Sequence, residues 1–498
     1  MEKSIRNEQL SLTYPLLGLI FCFELVFFPE IYTLIDYAAY FREFETVFSF
    51  VCRTAFEADL RAYFNPNAKA PECPASYALR HVVYAGGKRS IIKNNSAAAF
   101  DEIHAQSWPY FENALYVHTD LLYSKCSITA VQALMAMSIY VEGIGCPSLE
   151  YMLCSNAVRL AQSKGLHRQP PIAWNLPESE VQQRKWLFWA IYCYDKHISY
   201  RSGRPSAIED DTITCSIPTS IPPGSNHDII WCTNVIKLTY ILSAVMKYIQ
   251  TLQNKETKTK DILKPVEALN ARIIEWKKQV PFPFQPDEDI VVSGLSPKVH
   301  IYCVLFMRFH YYGTLVALNS AFVYPWIFAN RKREHDRLFQ DQVRRSTDLV
   351  VEASREIIKN TKYVDIDYAC PVWLAFYYPM VGLINLFIHV LRYPTLSSVQ
   401  MDLALIDIAT GHFARVGYTS SHSISFPFAR ELARLAHEAV RATYWGSELL
   451  NLELSDVNGI GEHQNQEIIS LNDNPQGFRE ELNRSSDLVD EARNATLD

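Results

Sequence analysis

The chain has 498 residues, 49% apolar and 20% charged, enough hydrophobic side chain for one or two large cores, which excludes a chain disordered throughout. Seventeen glycines against 13% aromatics favour long, bulkily packed helices over a turn-rich β architecture. The net charge of −7 resides in residues 451–498, where eleven acidic residues outnumber three arginines, so the rest is near neutral and offers no broad basic face to a phosphate backbone.

Residues 1–30 form an N-terminal segment whose stretch 14–28, YPLLGLIFCFELVFF, is apolar but interrupted by Glu24 and closed by Pro29. It is too short for a bilayer span, and it lacks the uncharged middle and small-residue cleavage site of a secretory leader. A buried or disordered segment, translated intron and a membrane element stay open for it. Helical signals then recur at 101–123 and 127–142. Within 149–164, Leu149, Met152, Leu153, Ala157, Leu160 and Ala161 fall on one stripe, and Gly165 stands where a left-handed cap is wanted. The stretch 178–200 opens with acids suited to a helix N-terminus, pairs Glu180 with Arg184 at i,i+4, and continues through Trp186, Phe188, Trp189, Tyr192 and Tyr194.

Further helices are predicted at 230–253, 259–280, 298–328, 336–360, 398–416 and 426–448. The twenty residues 372–391 carry no charge and are long enough to cross a bilayer, but Pro379, Asn385 and His389 interrupt them. They read as a kinked central helix of a helical bundle, with His389 a core histidine and no membrane role expected. Residues 451–498, acidic and rich in Asn and Ser, are expected to be a disordered tail. The fold class is therefore all-α: one large multi-helix body over 31–450, followed by that tail.

The eleven cysteines are odd in number and scattered, the closest pair being Cys146 and Cys154. Metal clusters place thiolates with tight C-x-x-C pairs, so reduced thiols in a reducing compartment are expected and no structural zinc site is seen. Asp210-Asp211-Thr212-Ile213-Thr214 fails the last position of the D-D-x-x-D motif of terpene cyclases, and Gly86-Gly87-Lys88-Arg89-Ser90 lacks the earlier Gly and the Ser/Thr after Lys of a P-loop. Gly143-Ile144-Gly145 reads as a turn. No acid, base and nucleophile can be named together, so no enzyme activity and no cofactor are expected.

The most informative stretch is Leu149–Pro218. It contains Gly165-Leu166-His167-Arg168, then Arg184-Lys185-Trp186-Leu187-Phe188-Trp189, Asp195, Gly203-Arg204-Pro205, Ile208 and Asp210-Asp211. This ordered series resembles the fungal-specific transcription factor domain, the middle homology region of fungal zinc-cluster regulators. The likeness weakens outward over 31–445, through pieces at 34–56, 79–87 and 397–416. It implies a single all-helical regulatory body. It also implies a transcription regulator of a fungal metabolic or secondary-metabolite gene set, resident in the nucleus.

Gly165, Leu166, His167, Arg168, Arg184, Trp186, Leu187, Phe188, Trp189, Asp195, Gly203, Arg204, Pro205, Asp210 and Asp211 are read as structural motif residues. Arg204, held extended by Pro205, is expected to pair with Asp195 or with the Asp210-Asp211 carboxylates. The six-cysteine zinc cluster of such regulators does not occur in these residues. The expected partners are therefore other regulators or a second copy of this chain, with DNA reached indirectly or through a zinc cluster beyond this sequence. A small-molecule effector is admitted. Arg331-Lys332-Arg333 with Arg344-Arg345 forms a candidate two-part import signal. The alternatives are an all-helical enzyme of terpene-cyclase type and a non-transcriptional helical scaffold.

Overall fold

The computed structural model describes residues 36–44, 47, 50–65, 73–93, 100–123, 127–221, 228–252, 259–296, 299–324, 337–366, 370–420 and 424–457. The expectations for residues 1–30, for 458–498 and for Arg331-Lys332-Arg333 lie outside these residues. Among the described residues there is no strand, and the chain is all-α as expected.

A π-helical turn, Tyr40–Phe44, leads into α1 (Arg53–Phe64), α2 (Pro74–Lys93), α3 (Phe100–Tyr116), α4 (His118–Tyr123), α5 (Ile128–Glu142), α6 (Pro147–Ser163) and α7 (Glu178–Ser202). Then come α8 (Ile229–Leu252), α9 (Thr259–Gln279), α10 (Ile301–Val323) and α11 (Arg337–Asn360). A second π-helical turn, Trp373–Tyr377, runs into α12 (Tyr378–Arg392), followed by α13 (Val399–Thr419) and α14 (Phe428–Val457). Local chemistry explains several starts. The Ser127 hydroxyl accepts the Ala130 N–H at 3.0 Å, Pro147 opens α6 where its missing N–H costs nothing, and His300 Nδ1 accepts the Tyr302 N–H at 3.1 Å. At the far end of α6, Gly165 has φ +66° and the Leu166 N–H returns to the Ala161 carbonyl at 3.0 Å, closing the helix as its sequence predicts.

Neighbouring helices pack in succession: α2 with α3 and α5, α5 with α6, α6 with α7, α7 with α8, α8 with α9 and α10, and α10 with α11. The last group, α12 to α14, packs mutually and joins the rest through α11. Two large hydrophobic clusters result, beside a small one of Ile92 and Ile103. The larger runs from Tyr40 to Tyr378 with Val416; the smaller is formed by Val351 and Ile358 of α11 together with α12, α13 and α14. The central element is α10, 94% buried over its most apolar stretch. Among the described residues, Ile229–Leu252, Ile301–Val323 and Trp373–Arg392 have the length and apolarity of membrane spans, and each lies mostly inside the protein.

Several expectations are corrected. The helix expected at 101–123 breaks after Tyr116, which sets His118 Nε2 3.2 Å from the Asn156 amide of α6. On α6, Met152 is 56% exposed, while Cys154 and Val158, outside the expected stripe, are buried. The 372–391 stretch is helical as expected but carries a π turn, Trp373–Tyr377, directly before Pro379; the Ala375 carbonyl, to which the proline offers no backbone N–H, instead lies 2.6 Å from His412 Nε2. Helix α14 continues to Val457, seven residues into the expected tail. Helices α1 and α2 were not among the segments read from periodicity.

Candidate functional site

The motif residues build a clamp at the end of α7. Gly203, with φ +67°, turns the chain out of the helix so that 204–220 folds back along α6, α7 and α8. Asp195 holds the turn from within α7. Its Oδ2 accepts the Ser206 hydroxyl at 2.6 Å and its Oδ1 the Ala207 N–H at 3.2 Å. Next to it, Lys196 donates to the Ile208 carbonyl at 2.7 Å and pairs with Asp210 at 3.1 Å. Asp210 also accepts the hydroxyls of Tyr192 at 3.2 Å and Ser243 at 2.7 Å, which ties the loop to α8.

Farther along, the Trp189 and Trp186 indoles donate to the Ser216 and Ser220 carbonyls at 3.0 and 2.6 Å, and the His167 carbonyl accepts the N–H groups of Thr214 and Cys215. Leu187 and Phe188 are buried in the main core between them. The Arg168 Nε donates to His167 Nε2 at 3.1 Å; burial first, then Arg168, depresses the His167 pKa.

Two sequence-based pairings are corrected. Arg204 pairs with neither Asp195 nor Asp210-Asp211: its guanidinium lies 5.5 Å over the Tyr151 ring, while Tyr151 donates to the Pro205 carbonyl at 3.0 Å. The carboxylates are taken by Lys196 of α7 and by Ser206 and Ala207, which the chain brings back to Asp195 just after the Gly203 turn, and Asp211 is exposed. Arg184 does not pair with Glu180. It donates to the Lys164 carbonyl at 3.0 Å, at the C-terminal end of α6, and lies 5.6 Å over Trp174.

Immediately before Gly203, the last turn of α7 faces a cleft of about 300 Å³. Its walls are the end of α5 (Glu142), the turn to α6 (Gly145, Cys146), Glu150, the end of α7 (Ile198, Arg201, Ser202) and, opposite, Trp373, Phe376 and Tyr377 with Ile424 and Ser425. The cleft thus lies at the seam where the main core meets the C-terminal helices. Glu150 accepts Arg201 at 2.7 Å and the Tyr194 hydroxyl at 2.9 Å. The Glu142 carboxylate has one hydrogen bond, from the Trp373 backbone N–H at 3.1 Å.

Burial first, then repulsion from Glu150, raises the Glu142 pKa to about 7, against the pull of Arg201, the Trp373 N–H and Arg89. Burial works against the charge on Arg201, but Glu150 and Glu142 outweigh it and its pKa is raised. Chemically, the cleft combines an apolar and aromatic wall with one satisfied ion pair and one carboxylate that no cation contacts among the described residues.

None of the motif residues lines this cleft, and sequence reasoning named only Gly145 and Cys146 of the residues that do, neither of them as a site residue. Gly143-Ile144-Gly145 is the turn its sequence predicts, with Gly145 at φ +72°. Glu142 ends an otherwise apolar helix, a signal that a buried charge stands there; nothing local announces that Trp373 faces it. His389 is buried on α12, its pKa lowered first by burial. Arg344 and Arg345 are exposed on α11, paired with Asp341 at 3.6 Å and Glu267 at 3.3 Å.

Residues 38–278, which include the whole clamp, match the model of the fungal specific transcription factor domain. An ABC-transporter-regulating transcription factor of Aspergillus oryzae is 29% identical over 319 residues, 61% of this chain and 35% of that protein. The fusaridione A cluster transcription factor of Fusarium heterosporum is 20% identical over 405 residues, 78% of this chain and 72% of its own length. The lactose regulatory protein of Kluyveromyces lactis is 27% identical over 184 residues, 36% of this chain and 19% of that protein. The chain thus spans about a third of the length of its Aspergillus relatives. No solved structure matches it.

Proposed function

We propose that this chain, which belongs through residues 38–278 to the fungal specific transcription factor domain family, is a transcription regulator controlling a fungal metabolic or secondary-metabolite gene set. The observation that carries the reading is the family match, supported by relatives named as regulators of transporter, secondary-metabolite and lactose genes. The regulatory unit extends over 31–450, beyond the matched segment, because the main core continues from Tyr40 to Tyr378 and Val416. The motif residues serve its fold. The protein works in the nucleus and associates with other regulators or with a second copy of itself. It reaches DNA through such a partner or through a zinc-cluster module, and it responds to a small-molecule effector.

The test is functional. The full chain fused to a heterologous DNA-binding module is expected to change expression of a reporter bearing that module's site, and its deletion is expected to alter transcripts of one gene set. A tagged full-length protein excluded from nuclei, with an unchanged transcript profile on deletion, would overturn the reading.

A further inference from the structure

The cleft at the seam has an uneven charge inventory. Arg201 is committed to Glu150 at 2.7 Å, and Glu150 is also satisfied by Tyr194. Among the described residues Glu142 has a single backbone N–H for two oxygens and no cation within ion-pair distance, Arg201 and Arg89 acting on it from farther off. A buried carboxylate in that state is costly when ionised and gains strongly from a charged donor brought against it. Opposite, Phe376 and Tyr377 are half-buried, so part of each ring borders the open space, and Ile198 and Ile424 complete an apolar lining. The volume, about 300 Å³, lies at the small end of ligand pockets.

We propose that this cleft binds a small ammonium-bearing molecule with an aromatic body, its cation paired with Glu142 and its ring set against Phe376 and Tyr377. An anion is disfavoured because both carboxylates line the cleft while its one lining guanidinium, Arg201, is already paired and Arg89, which also acts on Glu142, is turned to the Tyr140 and Gly143 carbonyls. Occupancy is transmitted because the Glu142 oxygen that faces the ligand's cation shares its carboxylate with the Trp373 N–H. Trp373 and Tyr378 belong to the main core, whereas Phe376 of the same turn packs on the smaller C-terminal cluster. A shift of the Trp373–Tyr377 π turn therefore moves one cluster against the other. That such a molecule controls transcription rests on the regulatory reading above; that it binds does not.

The full chain is titrated calorimetrically with tryptamine, with tryptophol and indole-3-propionate as neutral and anionic counterparts, and with Nα-acetyl-lysine amide as an ammonium without an aromatic body. Near pH 7.5, above the Glu142 pKa of about 7, tryptamine is expected to bind saturably, at least roughly tenfold more tightly than the other three. Glu142→Gln keeps an acceptor for the Trp373 N–H and is expected to weaken tryptamine about tenfold.

Ser425→Trp, on the exposed rim, fills the cleft without touching the core and is expected to abolish binding; it decides the matter if Glu142→Gln fails to fold. At pH 6, tryptamine binding is expected to release protons, read as a heat that changes between phosphate and Bis-Tris. No saturable binding of tryptamine, equal binding of tryptophol or Nα-acetyl-lysine amide, or tryptamine affinity unchanged in both variants overturns the proposal. Calorimetry involves neither DNA nor a reporter, so failure of the regulatory reading leaves its result standing.

Discussion

Glu142 and Trp373 are joined across 231 residues: the carboxylate at the end of α5 accepts the backbone N–H that opens the second π turn. This bond links the segment that matches the family with helices beyond it, and it stands in a buried site. Burial and Glu150 raise the Glu142 pKa to about 7 against an ordinary 4.5, so the folded chain holds a proton there that the unfolded chain releases. Between those values the folded state binds more protons, so the contribution of this group to stability is full below about 4.5 and is lost as pH rises through about 7. Glu142→Gln removes that dependence. The variant is expected to gain on the order of 1–3 kcal/mol relative to wild type at pH 8 compared with pH 4.5. Urea denaturation at the two pH values measures the difference; parallel shifts at both would disprove it.

Gly313 marks where α7 and α12 press on the central helix α10. Its carbonyl accepts the Tyr200 hydroxyl at 2.9 Å, and a Cβ there would stand 2.5 Å from Tyr378 Cε1 and 3.3 Å from the Tyr200 oxygen. Tyr378 is fully buried and cannot swing away. Gly313→Ala is therefore expected to destabilise by about 1–3 kcal/mol. Gly411, on α13 with open space around its Cβ position, is the control: Gly411→Ala should stabilise by about 0.5–1 kcal/mol through helix propensity. Melting temperatures moving in opposite directions confirm both.

The helices legible in the sequence are those whose apolar face or caps are local. Gly165 announces the end of α6, and the acids of 178–180 announce α7. Helix α2 was missed because Gly86-Gly87 breaks its propensity; Gly87 is needed where the Asp36 backbone lies against the helix, 1.7 Å from the position of a Cβ. The all-round apolarity of α10 carries no face to read, so its central place emerges only from packing. The clamp was legible as a family motif, yet the partners within it were not. Lys196, not Arg204, reaches Asp210, a choice made by helical phase across the Gly203 turn. The cleft was illegible because Glu142, Arg201 and Trp373 meet only in three dimensions.

His310 and His197 lie on facing surfaces of the core. The His310 pKa is lowered to about 3 by burial, and that of His197 falls well below its ordinary value by burial, then by Arg201 and His310. Both stay neutral in the fold while the unfolded chain takes up protons below about pH 6.5, so stability falls as pH drops through that value. His310→Phe removes one such group. The ring stacks on Phe306, and Thr239 keeps its bond to the Val235 carbonyl at 2.8 Å. The variant is expected to match wild type within about 1.5 kcal/mol at pH 7.5 and to lose less stability between pH 6.5 and 5. An unchanged slope of stability with pH would exclude His310 as one of the titrating groups.

The clamp makes its own energetic demand at Lys196 and Asp210, whose side chains are 4% and 15% exposed. Removing one charge strands the other in a place water scarcely reaches, so the single change costs more than the pair contributes. Lys196→Met leaves Asp210 with the hydroxyls of Tyr192 and Ser243 and with Lys247 at 3.9 Å, and it also takes the ammonium donor from the Ile208 carbonyl, which keeps the Ser206 hydroxyl at 3.2 Å. It is expected to cost about 3 kcal/mol, somewhat below the cost of fully orphaning a buried charge because those hydroxyls remain. Asp210→Asn, still able to accept from Ser243, should cost about 1–2 kcal/mol. The double variant should be less destabilised than the two singles combined, by at least about 1 kcal/mol, because neither charge then stands alone. Additive costs in urea denaturation would mean that Lys196 acts through the Ile208 carbonyl alone, and the loop from 204 to 213 would be held by Asp195 without help from this ion pair.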